Sequence, residues 1–338
     1  METPRKPLRN LHLEVNTPLQ VPASPLMKTL GYGTGVNVYF LERSPKPGGQ
    51  IRSPWAIKRV SQRTRRTNYE HSKIFNERIL KEAEILKKLK HPNIVGFRAI
   101  AKKENDEVDS LALECCSTSL GSILEERLDN EQGALPAQYI KKMLTDISSA
   151  LDYLHTDAML LHGDLKSHNI LVKGDFETCK LCDFGVSLPL NKEGKINFKE
   201  NPDLRYVGTE LWCAPEILLD EEEIDSKADI FSLGLIIYET IALIPPHSRK
   251  LDDTENEKGD DEEVITESEE ENSLDQSDFT LGSMDESRPY GTRPPLPEAF
   301  ELSEEYNLIM ELFYLCTNQD PNSRPSAKVI HNSLTTKS

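Results

Sequence analysis

The sequence predicts an α+β chain of two lobes, a small β-rich one followed by a larger helical one. Three observations carry this. Strand-like runs occupy the first third, at residues 30–41, 55–58 and 111–116. Residues 139–155 place Ile140, Met143, Leu144, Ile147, Leu151 and Leu154 on one helical face. Residues 231–244 are almost wholly apolar, but the run is shorter than the ~20 residues a membrane span needs. Interrupted by Tyr238 and Glu239, it reads as a buried helix.

Composition bounds the function. With 338 residues and 37 % hydrophobic content the chain can bury a sizeable core. The net charge of −17 is local: residues 251–287 hold 16 acidic residues and one lysine, −15 of the total, leaving about −2 elsewhere. Global charge therefore points to no particular partner. The six cysteines do not form the pattern of a short secreted disulfide scaffold. Cys179 and Cys182 have C-x-x-C spacing without a second pair, and read as strand residues rather than zinc ligands. No apolar stretch near the N-terminus suits a secretory signal. The expectation is a soluble cytoplasmic and nuclear protein with no membrane and no direct nucleic-acid partner.

Residues 1–29 are polar and Pro-rich and are expected to form a disordered regulatory tail. Thr3, Thr17 and Ser24 each precede a proline there, as Ser44 and Ser53 do further on. Such pairs are common turn chemistry; they also suit a proline-directed kinase, whose phosphate adds nearly two charges. The first lobe is assigned to residues 30–116. It opens with Gly31, Gly33 and Gly35 at alternate positions, followed by Val38. Glycines in a hairpin let backbone N–H groups approach phosphate oxygens without Cβ clashes. Trp55-Ala56-Ile57-Lys58 then reads as a strand whose lysine, if buried, needs a counter-charge. The stripe Ile79, Ala83, Leu86, Leu89 marks a helix with Glu82 beside it. Glu84 is turned about 200° from Glu82 and is the poorer partner. Residues 97–109 read as strands around a charged turn, and 111–116 as a strand entering a connector.

The second lobe, residues 117–332, contains an acidic insert at 251–287 that must be solvated; a short tail, 333–338, follows. Its densest chemistry is His162-Gly163-Asp164-Leu165-Lys166-Ser167-His168-Asn169, with Asp183-Phe184-Gly185 fourteen residues after Asn169. Gly208-Thr209, Ala214-Pro215-Glu216, Asp229 and Arg324 come later.

In this order and spacing, over residues 30–330, these motifs resemble the protein kinase family. The resemblance implies a bilobal kinase fold, ATP and Mg²⁺ as cofactors, and protein substrates. It implies that Lys58 holds nucleotide phosphates with Glu82 as its partner. Gly31, Gly33, Gly35, Val38 and Ala56 would line the nucleotide, Leu113 would back its pocket, and the Glu114–Cys116 backbone would meet the adenine. Asp164 would orient the substrate hydroxyl and take its proton, Lys166 would neutralise charge on the moving phosphoryl group, and Thr209 would contact both. Asn169 and Asp183 would ligate Mg²⁺. Phosphoryl transfer is mostly positioning and charge stabilisation, which is why these types recur. Asp229 would anchor the catalytic loop and Glu216 would pair with Arg324. His162, Phe184 and Leu86 would belong to an apolar column.

Two departures stand out. Val36 occupies the third glycine position of G-x-G-x-x-G-x-V, with Gly35 one residue early. Gly163 stands where the family usually has an arginine that binds an activation-segment phosphate, and glycine cannot do so. Residues 186–208 offer only Ser187 and Tyr206 as hydroxyls. Activity is therefore not expected to need an arginine–phosphate latch.

Finer details narrow the resemblance: Gly35-Val-Asn-Val-Tyr39, Gly163, Lys173-Gly-Asp-Phe-Glu-Thr178, the acidic insert, and Gly291-Thr-Arg-Pro-Pro295. They resemble a mitosis-associated branch of the MAP-kinase-kinase-like kinases. That implies Ser/Thr or dual specificity, a stress-activated MAP kinase or a histone as substrate, and an upstream proline-directed kinase with Thr3 the best-placed target. A PDZ-domain partner is disfavoured, because such ligands end in an apolar residue and this chain ends in Ser338. The alternative is a pseudokinase scaffold or adaptor, suggested by Gly163 and the glycine loop and opposed by Lys58, Glu82, Asp164, Asn169 and Asp183. The acidic insert could also dock a basic partner such as a histone tail.

Overall fold

The computed structural model describes residues 12–13, 28–33, 35–45, 49–61, 64, 69–102, 108–248 and 290–336. Thr3, Thr17, Ser24, the acidic insert and Ser338 lie outside the described residues. The chain divides into two compact units, residues 1–90 with 95–116, and residues 91–94 with 117–338.

The first unit is an antiparallel sheet. Its strands are β1 (His12–Leu13), β2 (Lys28–Gly33), β3 (Val36–Leu41), β4 (Trp55–Val60), β5 (Phe97–Lys102) and β6 (Val108–Glu114). They lie in the order β1-β5-β6-β4-β3-β2. Alternation builds the sheet: Tyr39, Ile57, Ala99, Ala101 and Ala112 meet in one buried cluster, with Leu41 and Trp55 against it. Two features differ from the sequence expectation of a tail to residue 29. His12 and Leu13 pair with Lys102 and Ala101 at the sheet edge, and β2 already begins at Lys28. Two residues of edge pairing carry no readable alternation.

Helix α1 spans Tyr69–Lys88, ten residues more at its start than the apolar stripe suggested. Its first turns are largely polar, so no stripe betrays them. Ile79, Ala83 and Leu86 are buried as the stripe requires, and Lys87 and Lys88 complement the dipole at its C-terminus.

The second unit is mainly helical. After β7 (Thr118–Ser119) come α2 (Leu120–Asp129) and α3 (Ala137–Thr156). Short strands follow: β8 (Leu160–Leu161), β9 (Ile170–Lys173), β10 (Thr178–Leu181), β11 (Leu188–Pro189) and β12 (Lys195–Asn197). Then come α4 (Pro215–Leu218), β13 (Glu223–Asp225), α5 (Lys227–Ala242), α6 (Asn307–Cys316) and α7 (Ala327–Thr335). Helix α3 buries its predicted face against β10 and α7, and α5 packs on α6. Every residue of α5 from Ala228 to Ala242 is buried, as expected of a helix apolar on all sides. Cys179 lies within β10 and is buried. Among the described residues no helix is long and apolar enough to cross a membrane.

Candidate active site

In the first unit, β4 and α1 bring Lys58 and Glu82 together. Lys58 Nζ donates to Glu82 Oε2 at 2.8 Å, and the two side chains are 12 % and 1 % exposed. Glu84, about 200° round the helix from Glu82, is exposed. A buried lysine and carboxylate persist only as a pair, because removing either leaves an uncompensated charge in low dielectric. Lys58 lies opposite Val38 on one side and Leu111 on the other, so its position is set by the middle of the sheet.

The glycine hairpin explains its own departure from pattern. β2 and β3 pair Gly33 with Val36, and Gly35 lies in the turn just before β3. Gly35 has φ +75°, and a Cβ there would strike the Phe75 ring of α1. Only glycine meets both demands. Val36 already belongs to the strand, so glycine is needed one position earlier than in the usual pattern. Ala56, Leu113 and Glu114 lie on the same sheet, with Ala56 opposite Leu113. Leu113 is buried, and Glu114 accepts the Gly96 N–H at 3.2 Å. Cys116 follows β6 and is partly buried.

In the second unit, four donors converge on one carboxylate. Asp164 Oδ1 accepts the Thr209 N–H at 3.0 Å and its hydroxyl at 2.7 Å. Oδ2 accepts the Asn169 amide at 3.0 Å and lies 3.1 Å from Lys166 Nζ. Lys166 also donates to Thr209 Oγ1 at 2.7 Å. Acid, lysine and threonine thus form a closed ring in which each fixes the other two.

The loop carrying them is anchored from below. Asp229, in the first turn of α5, accepts the backbone N–H groups of His162 at 2.9 Å and Gly163 at 3.0 Å. His155 Nε2 lies 2.9 Å from the same carboxylate. Burial alone would raise the Asp229 pKa, but the bond and charge of His155 and the Gly163 N–H outweigh it and hold the carboxyl below its usual range. His162 Nδ1 accepts the Asp164 N–H at 3.3 Å. That leaves Nε2–H to donate to the Cys182 carbonyl at 3.0 Å. The same imidazole meets Phe184 edge-on, with ring centroids 5.0 Å apart.

A second buried acid, Glu239 of α5, joins the loop to the 210–212 turn. It accepts the Ser167 hydroxyl at 2.6 Å, the Ser167 N–H at 3.3 Å and the Trp212 indole N–H at 2.7 Å. Burial pushes its pKa up to about 7 against the pull of these bonds. Further along, Arg324 grips Glu216 with two bonds of 2.6 and 2.8 Å. Its remaining donors reach the carbonyls of Asn318, Gln319 and Lys227. The guanidinium fork is fully used, which makes this buried pair tolerable.

Sequence reasoning did not single out His155, Glu239 or the contacts of Tyr206 described below. Glu239 had a signal, since a lone acid inside an apolar helix must be satisfied. His155 had none, because its partner lies 74 residues away.

The residues suit a hard cation shared with phosphates. Asn169 spends its amide protons on the Asp164 carbonyl at 2.7 Å and on the Asp164 carboxylate, which turns its oxygen toward a ligand role. The Cys182 N–H, next to Asp183, donates to the Asn169 carbonyl at 3.0 Å, so the two segments are tied. Two oxygen-bearing side chains match a Mg²⁺ ion that keeps water and phosphate as its other ligands. Among the described residues no cluster of three or more His, Cys, Asp or Glu offers an all-protein site.

The protein kinase domain model matches residues 26–334 of this chain. The chain belongs to the protein kinase family. It is 42 % identical to the human lymphokine-activated killer T-cell-originated protein kinase, over 94 % of this chain and 91 % of that protein. It is 28 % identical to the mitogen-activated protein kinase kinase kinase zak-1 of Caenorhabditis elegans, over 59 % of this chain and 26 % of that protein. It is 35 % identical to the serine/threonine-protein kinase TIO of Arabidopsis thaliana, over 49 % of this chain and 11 % of that protein. The kinase thus spans nearly all of the human relative and a minor part of the other two. A kinase domain uses ATP and a divalent metal and acts on protein substrates.

Proposed function

We propose that this kinase transfers phosphate from ATP to Ser or Thr hydroxyls of protein substrates, with Mg²⁺ as its metal, in the manner of a MAP-kinase kinase. The observation that carries this is the Asp164–Lys166–Thr209 ring. Asp164 is held by Thr209 through Oδ1 and by Asn169 and Lys166 through Oδ2, and a carboxylate fixed in this way can orient the substrate hydroxyl and take its proton, an effect worth roughly 10²–10⁴-fold. Lys166, held between Asp164 and Thr209, offsets charge on the moving phosphoryl group. Lys58, fixed by Glu82, would hold the α- and β-phosphates. Asn169 and Asp183 would hold Mg²⁺, which supplies charge neutralisation on the phosphates when bound.

The likeness to the human relative supports the narrower reading: a MAP kinase or a histone as substrate, a role in mitotic or stress signalling, and action in cytoplasm and nucleus. An upstream proline-directed kinase would act on Thr3, Thr17 or Ser24. Charge complementarity supports a histone, because residues 251–287 carry −15.

Incubation with labelled ATP, Mg²⁺, and either a MAP kinase or core histones, followed by phosphoamino-acid separation, tests the reading. Phosphoserine and phosphothreonine are expected, with phosphotyrosine on the MAP kinase if specificity is dual. Phosphotyrosine alone on both substrates would contradict it.

A further inference from the structure

Ser187 and Tyr206 are the two hydroxyl-bearing residues between Val186 and Gly208, and the structure engages both with the catalytic loop. Ser187 is fully buried. Its hydroxyl donates to the His162 carbonyl at 3.0 Å, and its N–H donates to the Phe184 carbonyl at 3.3 Å.

At the other end, the chain returns to the very next residue. A Cβ on Gly163 would meet Tyr206 Cε2 at 3.9 Å, so the ring lies over that backbone in ordinary van der Waals range. A Cβ on Gly208 would collide with the Gly163 carbonyl and stand 2.6 Å from Tyr206 Cε1 and 2.9 Å from its hydroxyl. Gly208 is therefore pressed between Gly163 and the Tyr206 ring, an approach that only a residue without Cβ allows. Burial, and then the neighbouring Cys213, push the Tyr206 phenol pKa well up, so the hydroxyl stays neutral. The stretch between the two ends is largely at the surface, with Lys199, Glu200, Asn201, Pro202, Asp203 and Arg205 exposed.

Both ends of the segment thus close on the dipeptide His162-Gly163, one through a hydrogen bond and one through a ring. The residue after Gly208 is Thr209, which makes both contacts to Asp164 Oδ1.

We propose that Tyr206 is a positioning residue: its ring, seated on Gly163, holds the unphosphorylated 187–208 segment closed and, through Gly208, keeps Thr209 on Asp164. The proposal rests on the reading of this chain as an active kinase. Phosphate on Ser187 would have to displace a buried contact and on Tyr206 a partly buried one, so closure here is complete without one.

The full-length chain is compared as wild type, Tyr206→Ala, Tyr206→Leu and Tyr206→Phe, with Asp164→Ala as the inactive control. Two readouts are taken: steady-state kinetics, and the rate of tryptic cleavage after Lys199 and Arg205. Tyr206→Phe keeps the ring and should stay within about twofold of wild type in both. Tyr206→Ala should lose about tenfold or more in kcat with the ATP KM little changed, as expected when a reacting group is misplaced rather than removed. Its segment should be cleaved severalfold faster. Tyr206→Leu, which retains apolar bulk, replaces the alanine variant if that one fails to fold, and should fall between it and wild type. Mass spectrometry of active wild type should find no phosphate between residues 186 and 208. Wild-type kinetics and cleavage in Tyr206→Ala, or activity confined to molecules phosphorylated in that interval, would overturn the proposal. Transfer by wild type no faster than by Asp164→Ala would instead refute the kinase reading, and the cleavage rates would still decide the clamp.

Discussion

At Gly163 the backbone φ is +77°, in the left-handed region that glycine enters freely and other residues enter at a cost of roughly 1–2 kcal/mol. An added Cβ would meet nothing closer than the Val186 carbonyl at 3.7 Å, so the cost of Gly163→Ala is that of the backbone alone. Denaturant unfolding should show Gly163→Ala destabilised by about 1–2 kcal/mol, with kcat little altered. Thr209 behaves differently. Thr209→Val removes the hydroxyl that links Lys166 to Asp164 but keeps the N–H contact, and kcat should fall by about tenfold with the ATP KM unchanged. At this scale the sequence was highly legible. Lys58, Glu82, Asp164, Lys166, Asn169, Asp183 and Thr209 announce themselves because phosphoryl transfer needs those functional groups in that order. Tyr206 was legible only as a hydroxyl. Its part depends on how Gly163, Gly208 and a backbone carbonyl meet its ring, and the sequence shows the glycines but not that meeting.

Among the elements, α5 does most to organise the site. Asp229 in its first turn holds the backbone of His162 and Gly163, and Glu239 in its fourth holds Ser167 and Trp212. Glu239 gives a pH dependence whose sign is fixed. Its folded pKa, about 7, lies above the ordinary 4.5, so between those values the folded state keeps a proton that the unfolded state has lost. Stability therefore falls as pH rises through about 4.5 to 7, by an amount on the order of 3 kcal/mol. Glu239→Gln should lack this slope, so the stability difference between variant and wild type, measured as denaturant midpoints at pH 5 and pH 8, should change with pH. Equal slopes would show that Glu239 is ionised throughout. The Glu216–Arg324 pair ties α4 to the chain before α7, and Glu216→Ala leaves Arg324 buried without its anion, a loss of about 3–5 kcal/mol. The helix periods of α1, α3 and α5 were readable because each buries a stripe or a whole surface. The polar start of α1 and the two-residue β1 were not, because neither imposes a repeat on the sequence.

For the molecule as a whole, the charge and the chemistry occupy different stretches of the chain. Residues 251–287 carry nearly all of the net charge, while the site residues come from segments with no such bias. Local charge in that stretch should affect partner choice more than turnover. Replacing its acids by their amides should weaken phosphorylation of histones, with the rate on an uncharged peptide unchanged. The two units contribute separate parts: a buried Lys58–Glu82 pair from one, and the Asp164 ring with its α5 anchors from the other. Each part is internally complete in its hydrogen bonds, which favours an active enzyme over a scaffold, since a scaffold has no need to satisfy Asp164 with four donors. The direct test is transfer of labelled phosphate from ATP to a basic protein substrate by wild type and by Asp164→Ala under identical conditions. Transfer by wild type at least about a hundredfold faster than by Asp164→Ala is predicted; equal background transfer by both would contradict the assignment.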